Sequence, residues 1–210
     1  MKQIRDRARN SFPSVLLTLL SIVQAVALET LWEQSRHRLD LFDPSWMMLA
    51  SWLQLAATLL AIIFVWLLYV GIVMRFRFTP SLSDLILPFI VGVLEFMLIE
   101  MTYPGRLGFW FIVLAVISAT VSYLRHRLFW RARRDPDNRE FFDAVPKATW
   151  RDHVARIIPT ILIAATGMWL WIYGNESWFA LVAILLVLIG ITIQIQIAAK
   201  YWRISVADHT

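Results

Sequence analysis

Glu95 is the residue of this chain whose surroundings most call for a chemical explanation. It stands inside an otherwise apolar run, 85–103, and follows Asp84 by about 16 Å of helix, near the middle of a ~30 Å hydrocarbon layer. The helical period sets Asp84, Pro88, Val91, Glu95 and Thr102 on one face. An ionisable group at that depth costs at least ~2.5 kcal/mol, so it must face protein or water instead of lipid. Two chemistries follow. Glu95 holds a proton or cation in transit, or it is a structural carboxyl hydrogen-bonded to a neighbouring helix, with Gln194 and Gln196 as candidate partners.

Glu29 and Glu100 lie within about a turn of the far ends of their own apolar runs, where they reach the interface. Glu29 and Glu33 share a helix face that continues toward Arg36 and His37, the pattern of a solvated helix end or of an acidic vestibule. Arg125, Arg127, Arg131, Arg133 and Arg134 form the densest basic cluster, suited to anionic lipid headgroups or to a phosphate-bearing or protein partner. Asp135-Pro136-Asp137-Asn138 follows. Its aspartates have the spacing of a metal pair, but the proline makes it a turn sequence, so no metal or other cofactor is expected. Beyond it, Phe141, Phe142 and Val145 are expected on the membrane surface.

Enzyme motifs are missing. The chain has no zinc-binding His-Glu-x-x-His, no Gly-x-Ser-x-Gly elbow and no phosphate-cradling glycine loop. It has no cysteine, which excludes thiol nucleophiles, thiolate metal sites and disulfides. His37, His126, His153 and His209 all fall at loops or termini. A non-enzymatic protein is expected.

These groups must be positioned by helices in lipid. Hydrophobic residues are 59% of 210 and charged residues 17%, against roughly a quarter in soluble domains, more apolar surface than a globule in water can hide. Six segments are long enough to span: 12–31, 46–74, 85–103, 107–124, 154–173 and 178–199, with a cytoplasmic loop at 125–153. The expected fold is an all-α bundle of six transmembrane helices in a single domain. Ser11 before Pro13 and Asp43 before Pro44 read as helix caps, as do Ser81 with Asp84 and Thr149 with Asp152. Pro104-Gly105 and Gly174-Asn175 read as tight turns. Lys2, Arg5, Arg7 and Arg9 before an apolar run ending in Ala25-Val26-Ala27 have the form of a signal peptide, expected here to be retained as the first helix.

With the amino terminus inside, 17 of the 20 lysines and arginines are cytoplasmic, and only Arg36, Arg38 and Arg106 lie outside. This is the positive-inside pattern, and it puts both termini in the cytoplasm, most simply of a bacterial inner membrane. Trp32, Trp46, Tyr103, Trp110, Trp171, Tyr173 and Trp178 are then an outer aromatic belt; Phe76, Phe129, Trp130, Trp150 and Trp202 are the inner one. The net charge of +5 collects at span ends, which points to anionic lipid of the cytoplasmic leaflet and away from nucleic acid. The sequon Asn175-Glu176-Ser177 sits too close to the membrane to matter.

Small and weakly polar residues let helices approach in lipid. The expected seams are Ser14, Thr18, Ser21 and Ala25; Ala50, Gln54, Ala57 and Ala61; Ala115, Ser118, Ala119 and Ser122; and Gly190, Gln194 and Ala198. Pro88 and Pro159 are expected to kink their helices. The leading functional expectation is an ion or small-solute channel or transporter, working as a homo-oligomer. The alternative is a membrane sensor or scaffold that engages a cytoplasmic protein through its Arg-rich loop.

Overall fold

A computed structural model describes residues 2–42, 45–77, 81–103, 105–144, 150–174 and 178–206. Among them the chain is helical: α1 (Lys2–Arg36), α2 (Trp46–Arg75), α3 (Leu82–Glu100), α4 (Leu107–Arg134), a short α5 (Arg139–Ala144), α6 (Trp150–Tyr173) and α7 (Trp178–Val206), with single 3₁₀ turns at Leu39–Leu41 and Pro136–Asn138. Four stretches are long and apolar enough to cross a membrane: Arg9–Arg36, Trp46–Arg75, Leu107–Arg134 and Trp178–Arg203. The apolar part of α6, Ile157–Tyr173, is shorter. Gly105 at φ +82° and Gly174 at φ +95° adopt the left-handed turns expected of them, a conformation a side chain would strain.

Several helix ends differ from expectation. α1 begins at Lys2 and runs through Pro13, so Ser11 caps nothing; the Ser14 hydroxyl donates instead to the Ser11 carbonyl (2.9 Å). α2 is capped by Ser45, whose hydroxyl accepts from the Met48 N–H (3.3 Å), while Asp43 and Pro44 lie outside the described residues. The Ser81–Asp84 start of α3 is as expected. Pro104, Val145, Thr149 and the 175–177 sequon lie outside the described residues. α4 does not stop near 124 but continues as helix through the whole arginine cluster to Arg134, because nothing in 125–134 breaks the backbone hydrogen bonds.

The bundle is not a set of side-by-side hairpins. α1 packs on α3 and α2, α3 on α4, α4 most closely on α6, and α2 on α7. α6 and α7 are consecutive in the chain yet touch sparsely, one lying against α4 and the other against α2. The core is apolar, built around Leu20, Ile62, Leu98, Phe111, Leu124 and Ile184.

Two of the four expected seams hold in the main. Gln54, Ala57 and Ala61 are buried on α2, and on α4 Ala115 is buried while the Ser118 hydroxyl bonds Thr160 of α6 (2.9 Å); Ala119 is exposed. The other two fail. Ser14, Thr18, Ser21 and Ala25 point outward, and α1 packs instead through Phe12, Leu16, Leu20, Gln24, Ala27 and Leu31. On α7, Ala180, Ala183, Ile184 and Val187 make the contact and Gly190 is exposed. On α1 the larger apolar side chains offer more dispersion contact than the small stripe beside them.

The closest helix pair is α4–α6. A Cβ on Gly167 would stand 2.8 Å from the Gly108 carbonyl oxygen and 2.9 Å from the Ile112 nitrogen, both backbone atoms that cannot step aside. Gly167→Leu should therefore separate the two helices and cost about 3 kcal/mol, read as a lowered melting temperature in detergent. Gly190→Ala, with nothing within 4 Å of the new carbon, is the matched control and should leave the melting temperature near wild type.

Candidate functional site: a buried polar path along the third helix

Begin at the basic end of the bundle, where α3 starts. The Asp84 carboxylate accepts from the Ser81 N–H (2.7 Å) and hydroxyl (2.8 Å), the capping box that the Ser-x-x-Asp spacing predicts. Asp84 is only 2% exposed. Arg131, reaching across from α4, forms an ion pair with it and donates to the Ser81 hydroxyl (2.8 Å), while Arg127 donates to Ser83. Four residues on, Pro88 lies inside α3 and lacks the N–H that would bond the Asp84 carbonyl.

At mid-helix stands Glu95, 1% exposed. Its partner comes from α1: the Gln24 amide donates to both carboxyl oxygens, at 3.0 and 2.8 Å. Gln194 and Gln196, the expected partners, lie elsewhere on α7, half-buried and exposed respectively. α1 rather than α7 packs on α3, which decides the matter. Tyr69 of α2, itself 2% exposed, lies within electrostatic reach of both Glu95 and Asp84. Among the described residues its hydroxyl has no hydrogen-bond partner, nor do Gln24 Oε1 and Asp84 Oδ1. Buried polar atoms are rarely left unpaired, and here α1, α2 and α3 each contribute one.

Toward the opposite end lies a second buried polar group, the Thr58 hydroxyl, which accepts from the buried Trp110 indole (2.9 Å) and donates to the Gln54 carbonyl (2.8 Å). Gln54 donates in turn to the Met101 carbonyl (3.2 Å). A second ion pair then closes the bundle. Arg38, its side chain wholly buried, donates to Asp40 and to the Thr102 carbonyl, and Ser51 donates to Asp40 (2.7 Å). Burial opposes ionisation of Asp40, but the Arg38 and Ser51 hydrogen bonds outweigh it and hold the carboxyl below its ordinary range.

The other anticipated residues are placed less centrally. Glu29 and Glu100 are exposed, and Glu33 pairs with Arg36 on the helix surface. Arg133 lies over the Phe142 ring (4.9 Å to the centroid) and Arg134 over Trp130 (3.4 Å), while Arg125 is half-buried. Asp135-Pro136-Asp137-Asn138 is a turn, as its composition implies. Its aspartates hold Arg9 of α1 at 2.7 and 2.9 Å. Phe141 and Phe142 do not lie free on a membrane surface but ring the buried Phe76, at centroid distances of 5.0 and 5.2 Å. Phe76 and Trp110 are core residues, not belt residues.

Four residues central to this arrangement carried no sequence reading as site residues: Gln24, Tyr69, Arg38 and Asn138. Gln24 shares the helical face of Leu16, Leu20, Ala27 and Leu31, and choosing that larger apolar stripe over the small one would have found it. Asn138 joins the 136–138 turn to the end of α2 by accepting from the Arg77 N–H (2.9 Å) and donating to the Arg77 and Ala132 carbonyls (2.6 and 2.8 Å). Comparison with known proteins finds no protein-family model that matches this chain, and no match among curated proteins or solved structures.

Proposed function

We propose that this chain is a six-span inner-membrane protein, both termini cytoplasmic, that passes protons through the Glu95 path. The observation that carries the reading is a carboxyl group, 1% exposed at mid-helix and bonded by one glutamine, with the Tyr69 hydroxyl in electrostatic reach and without a hydrogen-bond partner among the described residues. A structural carboxyl is best served by a closed set of hydrogen bonds; unpaired acceptors and donors on either side leave room for a proton to be handed on. The close packing around Glu95 favours the smallest ion, since a proton moves by exchange of hydrogen bonds and needs no wide pore. The ion pairs Asp84–Arg131 and Arg38–Asp40 sit at the two ends of the path, where they act as gates. Ser14, Thr18, Ser21 and Ala25, facing outward on α1, fit a homo-oligomer whose copies approach closely along that helix. Proton uptake by liposomes that contain the chain, wild type against Glu95→Gln, tests the reading.

Orientation is tested separately. The chain lacks cysteine, so single cysteines report cleanly. Leu39→Cys, 85% exposed between α1 and α2, should react with an impermeant maleimide on intact cells, and Glu140→Cys on α5 should react only after lysis. Labelling of Glu140→Cys from outside would overturn the topology.

A second reading, a sensor or scaffold with a cytoplasmic partner, draws on the 135–144 element. Asn138, Phe141 and Phe142 dock it on the ends of α2 and α4, so a partner bound there has a direct mechanical route to the helices.

A further inference from the structure

We infer that the cleft between the start of α1 and the end of α2 binds the phosphate headgroup of an anionic membrane lipid. The cleft has a volume of about 360 Å³, and its lining includes Arg9, Phe12, Pro13, Val73, Arg75 and Arg77. That volume is at the lower end of the range for small-molecule sites and ample for a headgroup. Its lining has two characters. Phe12, Pro13 and Val73 lie toward the apolar stretches of their helices, and the three arginines lie toward the ends. A lipid has the same division, with glycerol and acyl carbon on one side of its phosphate.

The charges leave a vacancy for one anion. Arg9 is held by Asp135 and Asp137, and Arg77 lies 3.8 Å from Asp137. Arg75 makes no hydrogen bond or ion pair among the described residues; its guanidinium lies over the rings of Phe76, Phe141 and Trp202 at 5.7, 5.5 and 5.9 Å. Among the described residues, three guanidinium groups thus face two carboxylates. The Nε atoms of Arg9 and Arg75 are buried and without a hydrogen-bond partner among the described residues. Arginine forks match phosphate oxygens in pairs, and aromatic rings behind a guanidinium fix its plane without using its donors. The basic cluster on α4 is a poorer candidate, because Arg127 and Arg131 are already committed to α3. Only the assignment of this end to the inner leaflet rests on the topology proposed above.

The test is lipid retention by the detergent-purified full chain in native mass spectra, which needs neither flux nor orientation. Wild type should retain phosphatidylglycerol over phosphatidylcholine. Arg75→Gln should weaken that retention about fivefold, the effect of one basic contact to an anionic headgroup. Arg77→Gln, whose side chain is 72% exposed and so safe for folding, should weaken it about twofold. Arg134→Gln should change nothing. Unchanged phosphatidylglycerol retention in both Arg75→Gln and Arg77→Gln overturns the site. Displacement of the lipid by excess inorganic phosphate alone would assign the cleft to a soluble anion and overturn the lipid inference equally.

Discussion

Arg38→Gln is expected to destabilise the protein by about 3 kcal/mol, the low end of the cost of breaking a buried ion pair, because Asp40 retains some solvent contact. Arg38 joins three elements: the 3₁₀ turn after α1 through Asp40, α2 through the Ser51–Asp40 bond, and the end of α3 through the Thr102 carbonyl. Without the guanidinium, the carboxylate and that carbonyl both lose their charged donor, and the shorter glutamine cannot reach both. Arg36→Gln, two residues away, removes an exposed i,i+3 pair and should cost well under 1 kcal/mol. Thermal unfolding of the two variants in one detergent makes the comparison. The linkage has a definite sign. Asp40 is held below its ordinary range, so its contribution to stability is complete above the unfolded value of ~3.9 and is lost as pH falls through the lower folded value. Wild type should therefore lose more stability than Arg38→Gln on acidification below about pH 4.

Helix class and the buried face of α3 were legible in the residues alone, because each depends on composition and on a period local to one segment. Asp84, Val91, Glu95 and Thr102 share a buried face in the structure as they do on the helical period. Partner choice was not legible. Gln24 and Gln194 are both amides in apolar helices, and what separates them is which helix lies against α3, a property of the whole bundle. The preference for small and weakly polar residues at helix contacts held for Gln54, Ala57 and Ala61 of α2 and for Ala115 of α4 and misread α1 and α7, since a small stripe also suits a surface that faces lipid or another copy. The arginine cluster shows the same limit. Charge density alone suggests a lipid surface, yet Arg127 and Arg131 are tied to Ser81, Ser83 and Asp84 at the start of α3, of which Ser81 and Asp84 were already visible as a helix cap but without any sign of their second role.

The most direct measurement is proton flux into liposomes, followed by a trapped pH indicator under an imposed potassium diffusion potential. Tyr69→Phe keeps the ring and removes only the unpaired hydroxyl; it should slow the flux while folding normally. Glu95→Gln keeps the side-chain shape and can still bond Gln24, so its melting temperature should stay near wild type. What it cannot do is take up and release a proton. Wild type should acidify the lumen well above empty liposomes, and Glu95→Gln should be slower by about 10²-fold or more, the usual effect of losing a proton-transfer group. Wild-type liposomes no faster than empty ones, or a folded Glu95→Gln variant that conducts like wild type, would contradict the account and leave Glu95 as a structural hydrogen-bonding group in a membrane scaffold.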